Sequence, residues 1–567
     1  MGIEYKQSSF SGGMIQKFDA TKVATLGDSY YLGINVRNRE DNLAPIRSPK
    51  DMSNEVPEGK KQGIFGSGKF LILFIAGKPY ARDISKEGTG FFALNSEAID
   101  PDVDRIFLEF VPGSTLGFGR IRASSSDDVV LDVNQELPFK SSQQGAIYQD
   151  GINQGRLILD NTVDVTKLQT YPQWTIQERE YVPLMKQMLY YGGILFGISP
   201  DGKQIYHSVS GRPLDFMVVI DSTGNKVGSE VDGGAQAVSK RVDFEVITAL
   251  KPAPTENTLI ATTINRTFLI SINASNLIFG EPTLDAFPIA AAGAVNQYCF
   301  ADINGDTAVI SQKGIYSFNA AAVLKRESNN DPLSGVINRL FTLSDDLYVT
   351  QDFPCAYEFG ADYVFFAVNT IYGRGVLVYD KIADKFVSLD LYEGVTQIKQ
   401  FADVLIEGRR RVFFITTDDK LYEAFAGDTL ETSGLLIGEW CSNDPKIEQT
   451  PRALRLVFTE CEQEGFVSAT PIVNRQTFTT KREAIKKTSE PRVLPLDIPF
   501  GVSSKRAVQN VNFNLFGTVP GGWKIGVFIE WNVMAKLTHI SLTAETQTQE
   551  VSQNSKSTRF VDVSKAV

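Results

Sequence analysis

One unit keeps returning in this sequence: a short apolar run rich in β-formers, a tight polar turn, and a second run that alternates in polarity. It occurs at 69–82, 192–208, 258–272, 308–318, 363–380 and 411–424. Such alternation, bounded by Gly, Asp and Asn, is the pattern of antiparallel hairpins. Turns such as Asp201-Gly202 and Lys313-Gly314 provide the glycine that a positive φ needs. From 192 to 411 the units recur at roughly 50–65 residues, the length of a propeller blade or slightly more. A single blade cannot bury both faces of its sheet, so blades stack around an axis. The expected fold is all-β, a propeller of about six blades.

The intervals between hairpins suggest the remaining organisation. Residues 1–60 are polar and irregular and read as an extended N-terminal arm, and 61–85 as the first blade segment. The gap to the next hairpin is too long for one blade, so 86–180 reads as an inserted β-rich module, and 181–428 holds the remaining blades. After about 430 the pattern changes. Strand-like runs at 452–458, 465–474, 507–516, 523–531 and 537–544 make 429–545 a C-terminal antiparallel β platform domain, with 481–487 a charged break inside it. Residues 546–567 read as a polar tail.

Signs of catalysis are sparse. The stretch Gly63-Ile64-Phe65-Gly66-Ser67-Gly68-Lys69-Phe70 fits a phosphate-binding loop except at its last position, where Phe replaces Ser or Thr. A strand-like run follows where that loop needs a helix N-terminus, so the hairpin reading is preferred and no cofactor is expected. With two histidines, His207 and His539, and no paired spacing, neither a zinc site nor a Ser-His-Asp arrangement is expected. Asp302-Ile303-Asn304-Gly305-Asp306 starts like a calcium loop but lacks the closing Glu, and reads as a blade turn. No metal site and no catalytic residue is assigned. The four cysteines, Cys299, Cys355, Cys441 and Cys461, are scattered and read as buried thiols.

Charge narrows the partners. Lys plus Arg is 56 and Asp plus Glu 67, leaving −11, which argues against broad, tight nucleic-acid binding. Positive charge concentrates in two places only: Arg409, Arg410 and Arg411, and the group Lys481, Arg482, Lys486 and Lys487. Solvated turns are the plain reading, and a surface for an anionic partner is the alternative. The chain opens without a signal-peptide h-region, and its longest apolar run, about eight residues, is too short to span a bilayer. No membrane-spanning segment is expected.

Several stretches together resemble the tail nozzle, or tail tubular protein B, of short-tailed bacteriophages. Phe10-Ser11-Gly12-Gly13, Asp19, Tyr30-Tyr31, Asn35-Val36-Arg37-Asn38-Arg39 and Pro45-Ile46-Arg47 look like that family's N-terminal arm. Gln149-Asp150-Gly151-Ile152-Asn153 is similar to an internal segment. So is the run through Tyr181-Val182-Pro183, Met188-Leu189-Tyr190-Tyr191, Asp201-Gly202, His207-Ser208, Gly211-Arg212-Pro213 and Asp215-Phe216. Gly522-Trp523-Lys524 and Ile529-Glu530-Trp531 resemble the closing platform. Gln154-Gly155 departs from the Arg-Pro that relatives often carry, and the 86–180 stretch is long.

The resemblance implies a non-enzymatic virion protein, made in the host cytoplasm and built into a homohexameric ring. That ring would sit under an adaptor at the portal vertex, contact tail fibres, and conduct double-stranded DNA without binding it specifically. An acidic lumen would suit that task by repelling phosphates. A propeller that binds or hydrolyses carbohydrate, as a receptor-binding protein does, is the alternative, and a plain scaffold propeller is a third reading.

Overall fold

Strand after strand, this chain pairs with its own sequence neighbour. In the computed structural model the described residues are 2–16, 28–39, 41–94, 100–112, 143–149, 156–159, 179–180, 185–207, 216–220, 226–229, 245–254, 256–272, 285–312, 314–318, 332–341, 354–441, 447–474, 476–487, 508–515 and 519–548. They form two units, Ile46–Glu431 and a second made of Met1–Pro45 with Thr432–Val567.

The larger unit is a β-propeller. Among the described residues seven antiparallel sheets follow one another along the chain, and each is a blade. Blade 1 runs Lys61–Ser67, Phe70–Ile75, Lys78–Asp83 and Phe92–Ala93. Blade 2 is Phe107–Pro112, Gln143–Gln149 and Arg156–Leu159. Blade 3 is Gln187–Tyr191, Ile194–Ile198 and Ile205–His207. Blade 4 is Ala249–Pro252, Thr258–Thr262, Thr267–Ser271 and Asp285–Ala290. Blade 5 is Phe300–Ile303, Asp306–Ser311 and Gly314–Ser317. Blade 6 is Cys355–Phe359, Tyr363–Thr370, Gly373–Asp380 and Lys385–Asp390. Blade 7 takes Ile398–Ile406, Arg409–Thr416 and Leu421–Glu423 from one end of the unit and Lys50–Asp51 from the other. A further small sheet joins Arg179–Glu180, Phe216–Ile220 and Lys226–Ser229.

The first strands form a closed circle. That of blade 7 packs against blade 1, blade 2 against blade 3, blade 3 against blade 4, blade 5 against blade 6, and blade 6 against blade 7. The short 3-10 turn Gln297–Cys299 bridges blade 4 to blades 5 and 6. Ile106 N–H donates to the Gln62 carbonyl at 2.9 Å and links blade 1 to blade 2.

This arrangement explains the apolar runs. In Phe70–Ile75 all six residues are buried, because the strand meets a neighbouring blade on each side. Leu71 and Leu73 face blade 7, beside Val404, Phe413, Ile415 and Leu421. Ile72 and Phe74 face the other way, toward Ile106 and Leu108 of blade 2. Phe413 and Phe414 divide in the same way, Phe414 packing with Phe365 and Val378 of blade 6. Each such side chain contributes about 1.5–3 kcal/mol by leaving water.

The second unit is also β, antiparallel apart from a short parallel pair of Gly13–Met14 with Ser29–Tyr30. One of its sheets carries Gly2–Gln7, Val36–Arg39, Asn42–Pro45, Ile447–Thr459, Val508–Asn514 and Lys536–Thr548. Leu32–Ile34, Ser433–Cys441, Lys524–Trp531 and Gly465–Val473 form a run in the other, and Lys481–Ile485 pairs with Gly465–Val473. Trp531 is buried there, edge-on to Phe458 at 6.1 Å.

Four expectations change. Residues 1–60 are not an extended arm: the described residues of 1–45 belong to the second unit, and Lys50–Asp51 complete blade 7. Phe10, Tyr30, Leu32, Val36 and Leu43 of this stretch are buried, but Phe10 lies outside any strand, the others stand on very short ones, and together they make no periodic pattern. The described strands of the 86–180 stretch include a blade whose first strand takes its place in the circle; 113–142 separates its first two strands and hid the repeat. The charged break at 481–487 contains a strand. The described part of the C-terminal tail, to Thr548, continues a strand, and the rest of the tail lies outside the described residues.

Candidate functional site

The Arg409-Arg410-Arg411 triplet opens the second strand of blade 7, after a turn through Glu407 and Gly408, both at positive φ. Arg410 reaches Asp403 at 3.4 Å. Arg411 makes a two-pronged bond to Glu423, at 2.5 and 2.6 Å, and donates to the Ile84 carbonyl at 3.4 Å. The Glu423 carboxylate raises the Arg411 pKa further. Arg410 and Arg411 are thus engaged within the blade. Glu423 is 6% exposed, so Arg411→Met leaves a buried carboxylate without its main partner. A loss of about 1–3 kcal/mol is expected, read as a lower urea midpoint, and Arg411→Met with Glu423→Gln should recover part of it.

The group at Lys481, Arg482, Lys486 and Lys487 belongs to the other unit. Lys481–Ile485 is a charged strand, and charge on an edge discourages pairing with another chain. The Arg482 guanidinium lies 3.9 Å from the centre of the Phe466 ring. Lys481 donates to the Asn514 carbonyl, and Lys486 N–H donates to Gln509 Oε1 at 3.0 Å. Lys486 and Lys487 are exposed.

A third group, not found by the sequence reading, lies where the first strands of the propeller meet. Arg105, just before blade 2, sets its guanidinium 4.8 Å from the Tyr298 ring centre, and Tyr298 stacks on Phe107 at 6.5 Å with 10° between planes. Arg105 also donates to the Lys399 carbonyl at 3.2 Å. Lys399 of blade 7 donates to the Lys61 carbonyl of blade 1 at 2.9 Å, and Lys61 N–H donates to Asp419 Oδ1 at 2.7 Å. Burial, and then repulsion from Arg105, brings the Lys399 pKa down to about 8. Burial pushes Tyr298 up to about 12 and Cys299 up to about 11.

Glu109 sits in the same region. Protein surrounds it on nearly all sides although solvent still touches part of it, and desolvation pushes its carboxyl up to about 8 against a backbone N–H bond from Tyr190. Aromatic rings and long cationic stems meet among the first strands, and the Cys299 thiol there is held protonated, away from nucleophilic use. Arg105, Phe107 and Glu109 fall within an alternating run, but their partners come from distant blades, which no spacing in the sequence reveals.

The other motifs are structural. Lys69 pairs with Asp83 across the blade 1 hairpin at 3.4 Å, and Phe70 begins a strand, not a helix. Asn304 and Gly305, both at positive φ, make the turn inside blade 5, and Asp302 pairs with Lys251 at 2.6 Å. His207 is buried in blade 3. Burial, with Arg455 and Lys6 nearby, lowers the His539 pKa. Among the described residues no group of three or more His, Cys, Asp or Glu is placed to hold a metal, and no helix is long and apolar enough to cross a membrane.

No protein-family model matches this chain, and no curated protein matches it. Solved structures similar to it include the β-propeller domain of Cps50 (Swd1) from Myceliophteria thermophila, at 12% identity and a TM-score of 0.37, covering 68% of this chain and all of that one. Another is the exo-β-1,3-galactanase of Phanerochaete chrysosporium with galactose, at 8% identity and a TM-score of 0.21, covering 63% of this chain and 94% of that one. At such scores neither likeness bears on what this chain does.

Proposed function

We propose that this chain is a structural protein of a short-tailed phage virion, the tail nozzle: a ring of copies, six by the resemblance, through which the genome leaves. The observation that carries the reading is where the resembling stretches lie. Asn35 and Arg37, from the start of the chain, and Ile529 and Trp531, from its end, are all buried in one unit. Asn35 donates to the Thr432 carbonyl at 3.0 Å, and Leu32–Ile34 pairs with Ser433–Cys441, which pairs in turn with Lys524–Trp531. Motifs that resemble one family from both ends thus meet in a common build.

On this reading the lumen of the nozzle is the space enclosed by a ring of copies, as the resemblance implies. The net charge of −11 suits a conduit that does not retain phosphates. Partners on this reading are other copies, a tail adaptor at the portal vertex, tail fibres and passing DNA. The carbohydrate-binding alternative predicts instead a monomer that retains glycans.

Negative-stain microscopy with mass photometry tests this on the full chain. Sixfold rings with a central hole are expected. Compact single particles that bind a glycan array would replace the nozzle with the carbohydrate reading.

A further inference from the structure

Among the described residues of the smaller unit, exposed aromatic, exposed aliphatic and concentrated positive charge coincide in one place. Phe466 is 46% exposed and Val508 56%, although both lie in strands. Phe466 pairs with Ala484 in the next strand, and Lys486 N–H reaches Gln509, the neighbour of Val508. Arg482 lies over the Phe466 ring, and Lys481, Lys486 and Lys487 complete the group, with Glu483 and Glu464 the acids nearest along the chain. An arginine stacked on an exposed aromatic ring is the composition of an interface centre, where Arg and aromatic residues are enriched.

We propose that this patch is a contact site for a second copy of this chain, which meets it with an acidic surface. Charge selects that occupant. The patch is basic, whereas the chain as a whole carries −11, so acids outnumber bases over the rest of a second copy and can complement it. The same charge forbids the patch from facing itself across a two-fold axis. A basic patch meeting a separate acidic surface can repeat head-to-tail, and head-to-tail contacts close into rings when the rotation allows. For ring closure the inference rests on the nozzle reading; the contact itself does not. The charged side chains of Lys481, Arg482 and Glu483 on Lys481–Ile485 oppose strand addition along that edge, so the partner docks through side chains.

The test is mass photometry and negative stain of the full chain at 50, 150 and 500 mM NaCl, for wild type, Arg482→Glu with Lys486→Glu, Phe466→Ser and Arg482→Lys. Wild-type assemblies should weaken as salt rises. The double charge reversal should raise the concentration for half-assembly at least about tenfold, Phe466→Ser should weaken it too, and Arg482→Lys should retain most of it. These side chains are exposed, so melting temperatures should stay near wild type; if Arg482→Glu unfolds the unit, Lys486→Glu with Lys487→Glu carries the test. Rings unaffected by the variants overturn the patch and leave the nozzle reading. Salt-sensitive dimers lost in the variants keep the contact and remove the nozzle. Monomers at every salt overturn both.

Discussion

Gly66→Ala is expected to unfold the propeller under conditions where Gly68→Ala survives. Gly66 stands on the first strand of blade 1, where that strand runs beside the first strand of blade 7. A Cβ built there lies 1.7 Å from the Asp403 carbonyl oxygen and 2.8 Å from its carbon. The obstacle is backbone and has no rotamer to change. The two strands are also tied on either side: Gln400 donates to the Ile64 carbonyl at 2.6 Å, and Leu405 N–H donates to the Gly68 carbonyl at 2.9 Å. Making room means parting blade 1 from blade 7, with the apolar layer of Leu71, Leu73, Val404 and Phe413 between them. Overpacking of a tight core costs typically about 1–3 kcal/mol, and a clash with fixed backbone belongs beyond that range, at roughly 4 kcal/mol or more. Gly68 has φ +58 with open space around its Cβ position, so Gly68→Ala pays only backbone strain, about 1 kcal/mol. Urea unfolding followed by intrinsic fluorescence separates the two. Equal midpoints would mean that the blades part easily at this seam.

Glu109→Gln should stabilise the protein in alkaline solution and do little in acid. The carboxyl has its folded pKa raised to about 8 from an ordinary 4.5. The folded state therefore holds a proton that the unfolded chain releases, and stability falls as pH rises from about 4.5 to 8. Above pH 8 the ionised group carries the whole penalty. The shift sets an upper limit of about 5 kcal/mol, and solvent contact at this half-buried group reduces it to about 2–4 kcal/mol. Glutamine has no charge to desolvate, so the variant should melt several degrees higher at pH 8.5 and close to wild type at pH 4.5.

Lys399 works in the opposite sense. Its folded pKa is lowered to about 8 from 10.5, so its penalty is present below pH 8 and is relieved between about 8 and 10.5. These two groups together place a stability minimum near pH 8. A melting curve with no dip there in wild type, or no gain from Glu109→Gln, would show that the carboxyl is solvated.

The hairpins were legible because each middle strand is buried on two faces and reads as an unbroken apolar run between turns. Phe70–Ile75 shows this directly, as does 412–415 within Arg409–Thr416. Blade 2 escaped because a long connection parts its first two strands, and a repeat is recognised by its period. The N-terminal strands escaped for another reason: Tyr30, Val36 and Leu43 each anchor a strand of a few residues, too short for any periodicity to register. At the propeller centre, Arg105, Tyr298 and Lys399 come from different blades, and only closure of the circle makes them neighbours. The two basic groups were visible from composition alone. That Arg411 is bound to Glu423 while Arg482 lies on an exposed ring is a matter of pairing, which composition does not carry.

The short strand Lys50–Asp51 has a consequence for how the protein is made. It pairs with Tyr422 and Glu423, which leave the ribosome about 370 residues later, and at about 5–20 residues per second that is a wait of roughly 20–75 seconds. Gly2–Gln7 waits longer still, for partners at 540–545. The earliest segments of the nascent chain are thus among the last to find their places, and until then the circle of blades stays open where blade 7 will meet blade 1. Synthesis that stalls before residue 421 leaves a ring with no clasp, so truncated products should be captured by chaperones or proteases instead of accumulating as shorter propellers.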